Sequence, residues 1–163
     1  MKTIYIQDIT QKLELKDKVY NLFKLNQKDC CGCFGCWLKT PGVCVYSDST
    51  SLLKDYINSD LVVVVAELKY GFVSGRLKTF LDRLIPLYLP HSRPEENGYN
   101  HIPRYSKYPD IHFYYLADFE LDDEQETFEK YITRTFTQFR SKNIVVKQIK
   151  SVNEVTNYEN TVY

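Results

Sequence analysis

Residues 61–66 read Leu-Val-Val-Val-Val-Ala, an apolar run with no polar residue at either alternating position. Successive side chains of a strand point to opposite faces, so a run of this kind must be covered on both sides. A central parallel strand with helices over both faces of its sheet meets that demand. The run is far too short to cross a bilayer as a helix.

Four further segments have the β-branched and aromatic enrichment of strands: 2–9 (KTIYIQDI), 18–25 (KVYNLFKL), 111–116 (IHFYYL) and 143–149 (NIVVKQI). Helical spacing marks three segments between them. One runs over 48–58, capped by Asp48, Ser49 or Thr50, with Leu52, Leu53, Tyr56 and Ile57 on one face. A second runs over 74–87 behind Ser74, with Leu77, Phe80, Leu81 and Leu84 as its stripe. The third, 122–140, is acidic in its first turn and sets Phe128, Ile132, Phe136 and Phe139 about a turn apart. This alternation predicts a single α/β domain over 1–163, a doubly wound, mainly parallel five-stranded sheet. Ligands then sit beyond the carboxyl ends of the strands. Only residues 10–17 separate the first two strands, fewer than the dozen or so that a crossover with its own helix needs. The first helix is therefore expected to be shortened or absent. Residues 89–110, with Pro90, Pro94, Pro103 and Pro109, are expected to form a long ordered loop or a subunit contact. The tail from Ser151 is expected to be disordered or a short helix.

Charge narrows the function. Lys plus Arg equals Asp plus Glu at 21 each, so no strong field recruits nucleic acid or an anionic membrane. No N-terminal stretch has the pattern of a secretion signal. All five cysteines fall between positions 30 and 44, which suits redox or metal chemistry in a reducing compartment and places the chain in the cytoplasm. The aromatic surplus, 14 Tyr and 9 Phe, points to extra subunit contacts and hence to a homodimer or homotetramer.

Cys30, Cys33, Cys36 and Cys44 follow a C-x2-C-x2-C-x7-C spacing in a Gly-containing loop, which lets thiolates converge on an iron–sulfur cluster. Free, packed thiols are the other reading. Cys31 lies outside that pattern. His91, His101 and His112 have no metal-ligand spacing, and no Ser-His-Asp, HExxH, Walker or GxGxxG arrangement occurs. Asp82 and Arg83, at helical positions, read as a structural ion pair rather than a catalytic one.

Residues 30–49 (CCGCFGCWLKTPGVCVYSDS) and 60–84 (DLVVVVAELKYGFVSGRLKTFLDRL) together carry a resemblance to a known family. The first is similar to the pattern C-x-G-C-x-x-C-x(n)-C-x-x-x-D-D, the second to a strand, flavin loop and LKxFxDR helix. Both belong to the flavodoxin-like NAD(P)H-dependent FMN reductases, which include the iron–sulfur flavoproteins, and with the strand order the match covers about 18–149. The resemblance implies a flavodoxin-like fold, FMN as cofactor, NAD(P)H as hydride donor and a small-molecule or protein electron acceptor. It implies a flavin loop at Glu67, Leu68, Lys69, Tyr70 and Gly71, with Tyr70 covering the ring and Gly71 letting the backbone approach it. Lys69, where the family has Pro-Val-Tyr across 67–69, would sit near the flavin N1/O2 edge and tune its potential. Thr10 and Asp118, in the loops after the first and fourth strands, complete the expected cofactor set. Many family members keep the cysteines and hold only flavin, so Cys33 and Cys36 are also redox-thiol candidates. The sequence departs from the family at Asp8-Ile9-Thr10-Gln11, where a Ser/Thr/Gly-rich loop normally cradles the phosphate. FMN is therefore expected to bind more weakly than in ordinary flavodoxins. The alternatives are a flavodoxin-like binding or assembly protein without flavin, and an iron–sulfur electron carrier.

Overall fold

The computed structural model describes residues 1–155 apart from Glu14, Lys16, Asn97 and Asp122. The elements run β1 (Thr3–Asp8), β2 (Lys18–Asn21), α1 (Gly35–Leu38), α2 (Thr50–Ile57), β3 (Leu61–Glu67) and α3 (Gly75–Asp82). After a 3-10 turn at Ile85–Leu87 come β4 (Tyr88–Glu95), β5 (Gly98–Pro103), β6 (Asp110–Leu116), α4 (Glu124–Gln138) and β7 (Ile144–Gln148). Five strands form one sheet in the order β2-β1-β3-β6-β7, with every pairing parallel.

The apolar run takes the central place its sequence requires. Val63 on β3 lies between Tyr5 of β1 and His112 of β6, and residues 61–66 are all buried. Burying one such side chain stabilises by roughly 1.5–3 kcal/mol, so this strand anchors both layers. On one face, Ile4, Ile6, Val62, Val64, Ala66, Ile111, Phe113 and Tyr115 meet Leu52 and Tyr56 of α2, Leu77 and Phe80 of α3, and Phe128, Ile132 and Phe136 of α4. On the other, Tyr5, Leu61, Val63, Val65 and Tyr114 meet Ile9, Leu13, Ile149, Val152 and Val155.

The link from β1 to β2 contains no helix among its described residues, yet the two strands pair in parallel. Gln7, itself buried, holds this link in place of a helix. Its Nε2 donates to the carbonyls of Ile9 (3.2 Å) and Gln11 (2.5 Å), and its Oε1 accepts from the Leu13 amide (3.5 Å). One side chain thus satisfies backbone groups that would otherwise be buried without partners.

Residues 89–110 are not the expected loop. Most of the segment is an antiparallel hairpin, β4 with β5, lying against α4. Arg134 donates to Asn100 Oδ1 (2.8 Å) and to the Tyr99 carbonyl (2.6 Å), and Arg140 donates to Glu95 (2.7 Å). Arg140, followed by Arg93 and Asn100, holds the Glu95 carboxyl down to about 2. His91 and His101 consequently lie on strands rather than in a loop. The described part of the tail is helical at residues 153–155, in line with the short-helix alternative, and residues 156–163 lie outside the described set, as does Asp122 at the expected helix start. No helix among the described residues is long and apolar enough to cross a membrane.

Candidate functional site

At the switch point between β1 and β3, the carboxyl end of β1 carries Asp8 rather than a phosphate-binding loop. Asp8 is buried, its Oδ2 accepting from Ser74 Oγ (2.6 Å) and its Oδ1 from Arg76 Nε (3.2 Å). Ser74 is also the N-cap of α3, accepting from the Leu77 amide at 3.2 Å. Carboxylate, cap and guanidinium thus satisfy one another where a phosphate would otherwise be received. The guanidinium of Arg76 also lies 3.7 Å from the centre of the Phe23 ring. These residues do not fit the phosphate end of a flavin mononucleotide: a buried carboxylate occupies the place, and Arg76, the cation beside it, is already paired.

The loop after β3 is built differently. Lys69 and Phe72 exchange both backbone hydrogen bonds (2.9 and 3.0 Å), and the two residues between them have positive φ, 52° at Tyr70 and 68° at Gly71. This is the geometry of a type I′ turn. Tyr70 is strained there, since only glycine adopts the left-handed region without penalty, and its ring is fully exposed. Beside the turn, Glu67, Leu68, Leu116, Ala117, Asp118, Gln148, Ile149 and Lys150 line a groove of about 410 Å³ at the carboxyl ends of β3, β6 and β7. Of the residues expected to hold the flavin, Glu67, Leu68 and Asp118 line this groove, and Lys69, Tyr70 and Gly71 form the adjoining turn. Thr10 is exposed and lines no part of it. Lys69 Nζ is paired with Glu67 Oε1 at 3.0 Å, which spends its charge locally.

Gly71→Val tests the turn. A Cβ at this position would meet the Phe119 ring at 3.8 Å, an ordinary contact, so the penalty comes from the backbone conformation. We expect a stability loss of about 1–2 kcal/mol, together with loss of retained FMN. Bound flavin per chain after gel filtration, read beside a thermal melt, separates the two effects. Retention at the parent stoichiometry would place the ring site elsewhere.

The cysteines gather away from this edge. Cys30, Cys31, Cys33, Cys36 and Cys44 line one cavity of about 390 Å³, with Trp37, Tyr46, Arg83, His101 and Phe139. Cys44 therefore lines the cavity with the other four, but the cavity is not at the carboxyl edge, where ligands of such a sheet are expected. The cavity lies at Asp82 and Arg83, the end of α3, and at Phe139, the end of α4. Both helices run back from the carboxyl edge, so their ends lie at the amino edge of the sheet. All five thiols are free. Among the described residues no group of three or more His, Cys, Asp or Glu side chains is arranged to hold a metal ion.

Arg83 explains why the segment folds over this helix end. Its side chain is only 2% exposed, and it donates to both carboxylate oxygens of Asp48, to Ser49 Oγ (2.8 Å) and to the Lys28 carbonyl (2.5 Å). The expectation of a structural ion pair holds for the residue, but its partner is Asp48, while Asp82 pairs with Lys78 one helical turn away. Reading the sequence missed this pair because its halves lie 35 positions apart; the acidic end of the cysteine motif was its only signal.

No protein-family model matches the sequence, and no curated protein matches it. Among solved structures the chain is similar to azoreductase from Bacillus anthracis strain Sterne, at 14% identity and a TM-score of 0.61, covering 99% of this chain and 92% of that one. It is similar to azoreductase AzrA at 13% identity and 0.61, covering 99% and 93%. A third likeness is to an FMN-dependent NADH-azoreductase from Bacillus anthracis strain Ames Ancestor in complex with FMN, at 13% and 0.56, covering 98% and 94%. At such identities the likeness speaks for the fold alone, and the fold is flavodoxin-like.

Proposed function

We propose that this chain is a flavin-dependent oxidoreductase of the flavodoxin-like NAD(P)H:acceptor reductase type, binding the flavin ring at the carboxyl edge of its sheet. The observation that carries the reading is the Tyr70–Gly71 turn. There a fully exposed aromatic is held in a strained conformation beside a groove at the carboxyl strand ends, and strain of this kind concentrates at functional sites. The FMN held by one structurally similar azoreductase supports the same choice of cofactor. Tyr70 would stack on the ring, Gly71 would admit it, and Glu67, Leu68 and Asp118 would form the adjoining wall. Bound there, flavin supplies one- and two-electron chemistry, with NAD(P)H as donor.

A flavodoxin-like module without flavin is favoured by one specific observation, the buried Asp8 carboxylate at the end of β1. Titration of the purified chain with flavin, followed by fluorescence quenching, decides between the two. Saturable one-to-one binding supports the redox protein, and its absence up to millimolar flavin supports the module. The exposed aromatics Tyr70, Phe72 and Tyr99 further suit a symmetric homodimer. Light scattering should then give twice the chain mass, and a strict monomer would refute that assembly.

A further inference from the structure

We propose that Cys31 and Cys33 form a thiol–disulfide exchange site whose substrates are disulfides, with Cys31 the attacking thiol and Tyr46 its positioning residue. The site stands apart from the flavin reading: it lies at the far end of α3 from Ser74, an eight-residue helix and so about 12 Å away. Its failure would leave that reading untouched.

Cys31, Gly32 and Cys33 are consecutive and exposed on the rim of the cysteine cavity. Gly32 has φ +65°, and nothing lies within 4 Å of where its Cβ would be, so an incoming disulfide meets open space over the pair. The Cys31 sulfur lies 3.5 Å from the Tyr46 hydroxyl. Two cations stand over that phenol ring, Lys28 Nζ at 4.9 Å and, engaged by the Asp48 carboxylate, the Arg83 guanidinium at 5.8 Å from its centre. Low-pKa reactive thiols occur in electropositive, accessible surroundings of this type. The other ionisable groups around the cavity are Asp82, His101 and the thiols of Cys30, Cys36 and Cys44. Arg83 Nε and His101 Nδ1 are buried there without a hydrogen-bond partner. Phe34, Trp37, Ile85, Pro86 and Phe139 add an apolar wall against which the body of a substrate can rest.

The five thiols are not equivalent. The hydrogen bond with Tyr46, followed by those with the Cys33 backbone and thiol, holds Cys31 below the ordinary thiol range. Burial, followed by the neighbouring thiols, pushes Cys36 up. Cys36, a redox candidate from sequence, is thus the poorer nucleophile, and Cys31, outside the four-cysteine spacing, is the better one. Cys33, exposed and two positions along the chain from Cys31, is placed to resolve the intermediate.

The exchange balances with a disulfide as the only oxidant. The Cys31 thiolate attacks one substrate sulfur, the substrate S–S bond breaks, and the departing thiolate takes a proton from solvent. Cys33, giving up its proton, attacks the Cys31 sulfur, and the second half of the substrate leaves and is protonated. The dithiol loses two electrons and becomes a Cys31–Cys33 disulfide, while the substrate gains them and becomes two thiols.

The test uses the reduced full chain mixed with oxidised glutathione or with the aromatic disulfide DTNB. One thiol should react in a fast phase, lost in both Cys31→Ser and Cys31→Ala. Cys33→Ser should accumulate a glutathione mixed disulfide that peptide mass analysis maps to Cys31. Tyr46→Phe should slow the fast phase by about fivefold and move the pH midpoint of iodoacetamide alkylation upward, a change that a merely structural role would not produce. A fast phase that survives in Cys31→Ser, a mixed disulfide mapped to another cysteine, or five thiols reacting at the rate of a free cysteine peptide would each overturn the proposal.

Discussion

Arg83→Met should destabilise the chain by about 3 kcal/mol, the lower end of what removing one partner from a buried ion pair costs. The lower end applies because the Asp48 side chain is 19% exposed and water can recover part of the loss. Methionine refills the volume of the stem. It cannot replace the donors that now satisfy Asp48, the buried Ser49 and the Lys28 carbonyl, so part-buried acceptors lose a partner. The matched control is Lys78→Met, which removes an ion pair whose members are about half exposed and should cost less than about 1 kcal/mol. The effect has a defined pH dependence. Burial works against the Asp48 charge, but the hydrogen bonds from Arg83 and the Lys28 amide outweigh it and hold the carboxyl below its ordinary value. A carboxyl depressed on folding contributes stability that is present above its unfolded pKa and lost as pH falls through its folded value. The gap between parent and variant in urea denaturation should be full at neutral pH and shrink below about pH 4. A gap independent of pH would show that the loss comes from packing rather than from the ion pair.

What the sequence revealed, and what it hid, follows from the range of the interactions involved. Residues 61–66 announced a central parallel strand because their burial on both faces is written in consecutive positions, and the stripes of α2, α3 and α4 were legible for the same local reason. That the described residues between β1 and β2 hold no helix was a matter of chain length alone. The β4–β5 hairpin escaped because its strands carry Pro90, Pro94 and Pro103 and leave most of β4 exposed, so the alternation that marks a half-buried strand is absent. The Asn97-Gly98 dipeptide was the available hairpin signal. The five cysteines line one cavity, but the edge of the sheet they occupy depends on Arg83 reaching Asp48, a contact no local pattern encodes. Equally hidden was Tyr46 beside Cys31, which reverses the ranking of thiols that spacing suggests. The 67–71 turn lay inside the motif that carried the family resemblance, whereas the pairing of Asp8 with Ser74 and Arg76 needed the β1–β3 register to become visible.

Riboflavin and FMN should bind this chain with nearly equal affinity, differing by no more than about threefold. A phosphate cradle makes several charge-assisted hydrogen bonds at roughly 1.5–3 kcal/mol each, and two of them alone separate the nucleotide from the nucleoside by about a hundredfold. Here the phosphate would face the Asp8 carboxylate. Arg76, the cation beside it, is already engaged by that carboxylate and by the Phe23 ring, so attraction and repulsion largely cancel. The turn and groove proposed to receive the ring would be the same for both ligands. Asp8→Asn keeps the shape of the side chain and an acceptor for Ser74 while removing the charge that holds Arg76. In this variant FMN should gain about tenfold over the parent at low ionic strength, riboflavin should stay unchanged, and the gain should fade as salt screens the exposed guanidinium. Fluorescence titration of both flavins against both proteins, at two salt concentrations, measures all of these terms. Parent protein that prefers FMN by a hundredfold would mean that the phosphate is held by groups other than those at the end of β1, and that Asp8 does not face it.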